Sequence, residues 1–158
     1  MMPTIVLKVA DTAEAFEEGA RLFQQYIDFL GLDLSFQGFA AELKTINQQY
    51  NKPTGALLLA YKDSRPIGCV GIRALATGTA ELKRMFVQPD YQGHKIGQRL
   101  LEQILDLAKS LRYQYIRLDT LSYMENALKL YHAYGFYEIP PYRFNPIAGA
   151  IYMEKKLL

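Results

Sequence analysis

The feature that most constrains this chain is a strand, a loop holding two glycines and a long amphipathic helix in immediate succession. Across residues 95–111 the apolar side chains Ile96, Leu100, Ile104, Leu107, Ala108 and Leu111 fall on one face, and Gln, Glu, Asp and Lys occupy the remainder. Residues 81–87 before this helix and 115–119 after it read as strands. A helix with one apolar stripe set between two strands is expected to pack on their sheet, with the strands running parallel through a βαβ crossover. Within 81–87 the apolar positions Leu82, Met85 and Val87 are spaced by three and then two. Strict alternation fails once, and a one-residue β-bulge restores the register.

The other segments supply the remaining layers. A chain of 158 residues, 50% hydrophobic and without internal repeats or a proline-rich linker, suits one well-buried core, so residues 1–158 are read as a single domain. Residues 4–9 form a short apolar strand, and Asp11 with Glu14 makes a D-x-x-E capping pattern. The stripe Phe16, Ala20, Phe23, Ile27 and Leu30 then predicts a helix stopped by Gly31. Residues 35–50 read as a second, weaker helix containing Gly38. Runs at 56–61 and 66–74 flank Lys62-Asp63-Ser64-Arg65 and suggest an antiparallel hairpin. A helix over 124–134 closed by Gly135, a strand over 136–139 ahead of Pro140-Pro141, and a last strand over 148–156 complete the chain. The order β-α-α-β-β-β-α-β-α-β-β predicts an α/β fold of the mixed α+β kind: a mostly antiparallel sheet of about seven strands with helices on both faces.

Composition narrows the partners. Eighteen basic and sixteen acidic residues give +2, far from the polybasic excess of a dedicated nucleic-acid binder, although 12 tyrosines leave base stacking to be tested by salt-dependent oligonucleotide binding. A single cysteine, Cys69, allows no internal disulfide, fits a reducing cytoplasmic compartment, and reads as a buried thiol between apolar neighbours. No stretch approaches the ~20 apolar residues of a membrane span, and the N-terminus lacks a secretory pattern. His94 and His132 have no second ligand at a binding spacing, so no metal is expected.

The strand-to-helix junction is where chemistry is expected. It points free backbone N–H groups and the positive end of a helix dipole at whatever lies in front, which favours phosphate. From geometry alone Gly93 and Gly97 could equally serve a turn and a tight helix contact.

The run Val87-Gln-Pro-Asp-Tyr-Gln-Gly-His-Lys-Ile-Gly-Gln-Arg-Leu-Leu101, followed by Leu130-Tyr131-His-Ala-Tyr-Gly135-Phe136, resembles the GNAT superfamily of acyl-CoA N-acyltransferases. The resemblance covers residues 66 to the C-terminus. It implies that the backbone amides around Gln92, Gly93, His94, Lys95, Ile96 and Gly97 hold the pyrophosphate of acetyl-CoA. Gln92 and Gly97 match the family pattern, and Lys95 stands where its first glycine is expected. It implies that the bulge parts two parallel strands, that the pantetheine arm bonds to the backbone of Met85, Phe86 and Val87, and that a bulge N–H faces the thioester carbonyl. It further implies that Tyr131 is the general acid for the departing thiolate and that Glu81 occupies the position of a carboxylate base. Each has a plainer reading, Tyr131 as aromatic packing and Glu81 as a solvated strand residue paired with a lysine. Where the family favours an asparagine this chain has Met124, with Asn126 two positions out of register. His132 points about 100° away from Tyr131 around the helix.

The implied activity is acetyl transfer from acetyl-CoA to a small-molecule amine by direct attack, without a metal, as a monomer or a homodimer. The alternative is a non-catalytic acyl-CoA sensor or interaction module of the same fold. The resemblance implies that roughly residues 29–39 and residues 140–149 build the acceptor pocket. Arg73, Arg84 and Arg143, with Tyr142 and Asn145, suggest an acceptor that also carries a carboxylate, and residues 140–151 contain no acid that would hold a polycation. The same arginines could instead be solvated or paired with Glu81 and Glu138.

Overall fold

The computed structural model describes residues 4–35 and 38–158. Strand β1 (Ile5–Val9) leads into helix α1 (Ala13–Leu30). The helix starts one residue later than the D-x-x-E pattern placed it. Thr12 is extended and its hydroxyl accepts the Ala15 N–H at 3.1 Å, so a threonine, not Asp11, satisfies the first turn. Gly31, at φ 67°, closes the other end.

The helix predicted over residues 35–50 is two short ones, α2 (Phe39–Lys44) and α3 (Ile46–Gln49). Thr45 separates them, donating its hydroxyl to the Ala41 carbonyl at 2.8 Å, and Gly38 sits ahead of α2 at φ 68°, outside helical geometry. Residues 36–37 of that prediction, also part of the expected acceptor segment, lie outside the described residues.

Strands β2 (Ala56–Lys62), β3 (Arg65–Ala76) and β4 (Thr79–Val87) form an antiparallel meander. Asp63 and Ser64 turn the first hairpin with φ of 50° and 67°, the mirror-image turn that matches strand twist. Helix α4 (Ile96–Ser110) crosses to β5 (Tyr115–Leu121), and α5 (Glu125–Ala133), β6 (Tyr137–Ile139) and β7 (Ala150–Lys156) follow. The sheet runs β1-β2-β3-β4-β5-β7-β6, and among the described residues only β4 and β5 pair in parallel.

Two apolar layers sandwich this sheet. On one face Ile96, Leu100, Leu101, Ile104 and Ala108 of α4 pack on Leu58, Val70, Ile72, Leu82 and Leu118. On the other, Phe16, Leu22, Phe23 and Ile27 of α1 pack with Phe39, Ile46 and Tyr50 on Leu57, Leu59, Cys69 and Phe86. Among the described residues no helix is long and apolar enough to cross a membrane.

Candidate active site

The site begins where the sheet opens. β4 and β5 pair from Thr79↔Tyr115 to Glu81↔Arg117 and no further, so the rest of β4 has no strand along its β5 edge. The predicted bulge lies just beyond. Cys69 faces Phe86 and Gly71 faces Lys83, so two steps on β3 match three on β4. Arg84 absorbs the extra residue at φ 59°, left-handed backbone that costs a side-chain-bearing residue about 1–2 kcal/mol. Cys69 supports it: its fully buried thiol donates to the Arg84 carbonyl at 3.3 Å, and burial raises its pKa so that it stays a neutral donor.

Alternation puts Glu81 and Lys83 of β4 on the face that carries α1–α3, and the bulge adds Arg84 to it, so that three linked groups form there. In the first, Glu42 of α2 holds Arg84 through two contacts, Nη2 to Oε1 at 2.8 Å and Nε to Oε2 at 3.2 Å, and accepts the Tyr50 hydroxyl at 2.8 Å. Phe39 stacks under the guanidinium at 5.3 Å. Burial raises the Glu42 pKa, but the Arg84 hydrogen bonds and charge outweigh it and hold the carboxyl below its ordinary value.

The second group centres on Glu81, whose side chain is 0% exposed. Arg73 reaches its Oε1 at 3.3 Å, while the Tyr142 hydroxyl at 2.9 Å and the Arg143 guanidinium share Oε2. Burial works to raise its pKa, yet Lys83, Arg143 and Arg73 hold it below the usual value. A carboxylate enclosed by two guanidiniums and a phenol, at the closed end of the fork, is poorly placed to take a proton from an incoming amine.

The third group was not expected from sequence. Asp119 of β5 lies past the last β4–β5 pair; its Oδ2 accepts the Asn145 amide at 3.3 Å and its Oδ1 is 4.0 Å from the Lys83 ammonium. Lys83 is buried, and desolvation with the neighbouring Arg84 charge lowers its pKa to about 8 against the opposing pull of Glu81 and Asp119. The signal for Asp119 was present. Ile116 and Leu118 alternate with Arg117 and Asp119, which puts the acid on the same face as Glu81.

These residues frame a pocket. Arg84, Asp119, Thr120, Met124 and Asn145 line it together with side chains from the end of α1, the turn after it and Ile147. The structure thus brings Arg84 and Asn145 of the expected acceptor residues together, and gathers Arg73, Tyr142 and Arg143 around Glu81. The partners of these arginines are Glu81, for Arg73 and Arg143, and Glu42, for Arg84.

Tyr131 approaches from α5, packed edge-on against Phe136 at 5.5 Å. Burial raises its pKa far above the ordinary value, helped by Tyr26 and Asp119, so the phenol carries its proton at neutral pH. Met124 caps α5 and accepts the Thr120 hydroxyl on sulfur at 3.8 Å. His132 and His94 are exposed.

At the mouth of the fork, Gln92 bonds the Val87 carbonyl through its side chain at 2.9 Å, Gly93 turns at φ 87°, and α4 begins. Lys95 caps that helix at φ 62°, the geometry the family glycine would adopt without strain, with its side chain exposed. A Cβ at Gly97 would meet nothing within 4 Å. The first N–H groups of an α-helix such as α4 have no partner inside the helix.

A forked sheet with a helix N-terminus at its mouth and buried acid–base groups at its base is an arrangement that can seat a phosphorylated thioester beside a proton acceptor. The chain belongs to the family described as "Acetyltransferase (GNAT) family", whose model matches residues 19–136. An uncharacterized N-acetyltransferase of Schizosaccharomyces pombe is 34% identical over 138 residues, 86% of this chain and 85% of its own. The N-acetylaspartate synthetase of Mus musculus is 33% identical over 97 residues, 60% of this chain and 32% of its own. The same fold occurs in a GNAT acetyltransferase of Staphylococcus aureus, with a TM-score of 0.78, 23% identity and 97% and 100% of the two chains covered. It occurs also in the PaiA N-acetyltransferase of Thermoplasma acidophilum in complex with coenzyme A, with a TM-score of 0.73, 20% identity and 97% and 99% covered. The protein is an acetyl-CoA-dependent N-acyltransferase.

Proposed function

We propose that this enzyme acetylates the amine of a small molecule that also bears a carboxylate, such as an amino acid. The observation that carries this reading is the charge balance of the buried cluster. Four cations (Arg73, Lys83, Arg84, Arg143) meet three carboxylates (Glu42, Glu81, Asp119). A largely desolvated site with one cation in excess favours an anionic ligand. The name of the mouse relative, N-acetylaspartate synthetase, points to the same class of acceptor.

In this reading the amides of residues 92–97 hold the diphosphate of acetyl-CoA, and the open edge of Met85, Phe86 and Val87 guides the pantetheine. Asp119, rather than Glu81, takes a proton from the acceptor ammonium, because it lies in the open part of the fork beside the pocket. The amine then forms its bond to the thioester carbon, and a bulge N–H meets the developing oxyanion. As the C–S bond breaks, its electron pair goes to sulfur and Tyr131 supplies the proton. The second proton of the nitrogen restores Tyr131, and the proton on Asp119 returns to solvent. Glu81 fixes Arg73, Arg143 and Tyr142, tying the loop before β7 over the site.

Steady-state acetylation of amino acids beside their carboxamides tests the carboxylate reading. Each acid should exceed its amide at least tenfold in kcat/KM; amides turned over equally well would refute it.

A further inference from the structure

We infer that the acceptor's remaining substituent, beyond its amine and carboxylate, is a compact apolar group. This rests on the acceptor class proposed above and adds the part of the molecule that reading leaves open. The pocket between β4 and β5 is two-sided. Its hydrogen-bonding side chains, Arg84, Asp119, Thr120 and Asn145, come from the sheet and the loop before β7. The opposite wall is Ile27, Leu30, Leu32, Leu34 and Ile147, with Tyr26 of α1 beside them. Those five side chains are hydrocarbon; beside them the Tyr26 ring packs against Phe86 at 5.5 Å and carries the hydroxyl on that side.

The local sequence produces this wall. α1 stops at Gly31, and the next residues, Leu32 and Leu34, alternate with Asp33, whose carboxylate turns away to accept the Ser35 N–H at 2.9 Å. The acid is exposed and Leu34 is buried, so the turn presents its two leucines to the pocket and its charge to solvent. Asn145 fixes the facing loop through two bonds, to Asp119 at 3.3 Å and from the Ile147 N–H at 2.9 Å, and so seats Ile147 against the leucines.

An ammonium at Asp119 and a carboxylate among the neighbouring cations leave the third substituent to this wall. A polar side chain would lose water there against hydrocarbon, with the Tyr26 hydroxyl as its partner on that side, whereas each methylene gains about fourfold in kcat/KM. The aspartate-like side chain suggested by the mouse enzyme is therefore not the one this pocket selects.

The test is acetyl-CoA turnover by the full chain on two ladders. On 2-aminobutyrate, norvaline and norleucine, kcat/KM should climb about fourfold per carbon until the pocket fills, and leucine should exceed its near-isostere asparagine at least tenfold. Aspartate or asparagine used as well as leucine overturns the inference. A parallel ladder of simple alkylamines separates the two readings. A rise with chain length there, without preference for carboxylate over carboxamide, would retain the apolar wall and reject the carboxylate; flat rates on both ladders would reject the wall. Leu32→Arg, on a half-buried turn residue, should shift the leucine-to-aspartate ratio at least tenfold toward aspartate while KM for acetyl-CoA holds. An unchanged ratio counts against the wall.

Discussion

The two faces of the sheet are built from different materials. Beneath α4 the buried layer is almost wholly hydrocarbon, with Leu58, Ile72, Leu100, Ile104 and Ile116 each about fully enclosed. Beneath α1–α3 a similar layer of Phe23, Leu57 and Leu59 gives way, at the β4–β5 fork, to buried Glu42, Glu81, Lys83 and Arg84. Buried ion pairs contribute little net stability, because desolvation offsets their attraction, yet removing one partner is costly. The first face therefore supplies the stability and the second spends part of it to keep charges dry and aimed.

The largest effects should separate the faces by their pH dependence. Ile104→Ala removes a fully buried side chain from α4 and should cost about 2–5 kcal/mol in urea unfolding at any pH. Glu42→Ala leaves Arg84 enclosed by Phe39 and Tyr50 without its carboxylate and should cost about 3–5 kcal/mol at pH 7. Because the folded Glu42 pKa lies below the unfolded one, its charge contributes stability above the unfolded value, and that contribution is lost as pH falls through the folded value. The gap between wild type and Glu42→Ala should thus narrow as pH falls below the ordinary glutamate range, while the Ile104→Ala gap persists. Parallel behaviour of the two variants would mean that the ion pair acts as packing alone.

Next comes a contrast inside the charged face. Asp119→Asn should lower kcat about 10²-fold for ordinary alkyl amines, with a smaller penalty for acceptors whose amine is already neutral at the assay pH. Glu81→Gln should instead raise KM for the acceptor more than it lowers kcat, since it loosens Arg143 and Tyr142. Exchange of these two phenotypes would return the base role to Glu81.

How much of this was legible in the sequence follows the same division. Hydrocarbon surfaces repeat with a period, so α4, β2–β5 and even the bulge follow from the spacing of Ile96 to Leu111 and of Leu82, Met85 and Val87. The charged face has no period. Glu42 lies in a segment that reads as one weak helix, and nothing in its neighbours announces a partner 42 positions away on β4. Asp119 could have been placed on the right face by alternation, but its position past the last β4–β5 pair depends on where the fork opens. The arginines were visible as a set; that Glu81 collects two of them and Glu42 the third is a tertiary fact.

The loop where the two faces meet at the fork should give the smallest and most diagnostic effects. Gly97→Glu places bulk and negative charge where the diphosphate is proposed to sit, while its Cβ meets open space, so acetyl-CoA affinity should fall at least tenfold, about 1.4 kcal/mol, in a protein that still folds. Lys95→Gly pulls in two directions. Glycine relieves the φ of 62° but adds freedom to the unfolded chain, so the net gain in stability should be about 0–1 kcal/mol. The exposed ammonium is also lost, and a surface charge of this kind is worth about 0.2–1 kcal/mol to a nearby phosphate, which limits the loss of affinity to about fivefold. Calorimetry on the two variants separates backbone from side chain. A Lys95→Gly protein that binds acetyl-CoA more tightly than wild type would mean that the lysine obstructs the cradle, and a loss as large as that of Gly97→Glu would mean that the charge, and not the row of amides, holds the diphosphate.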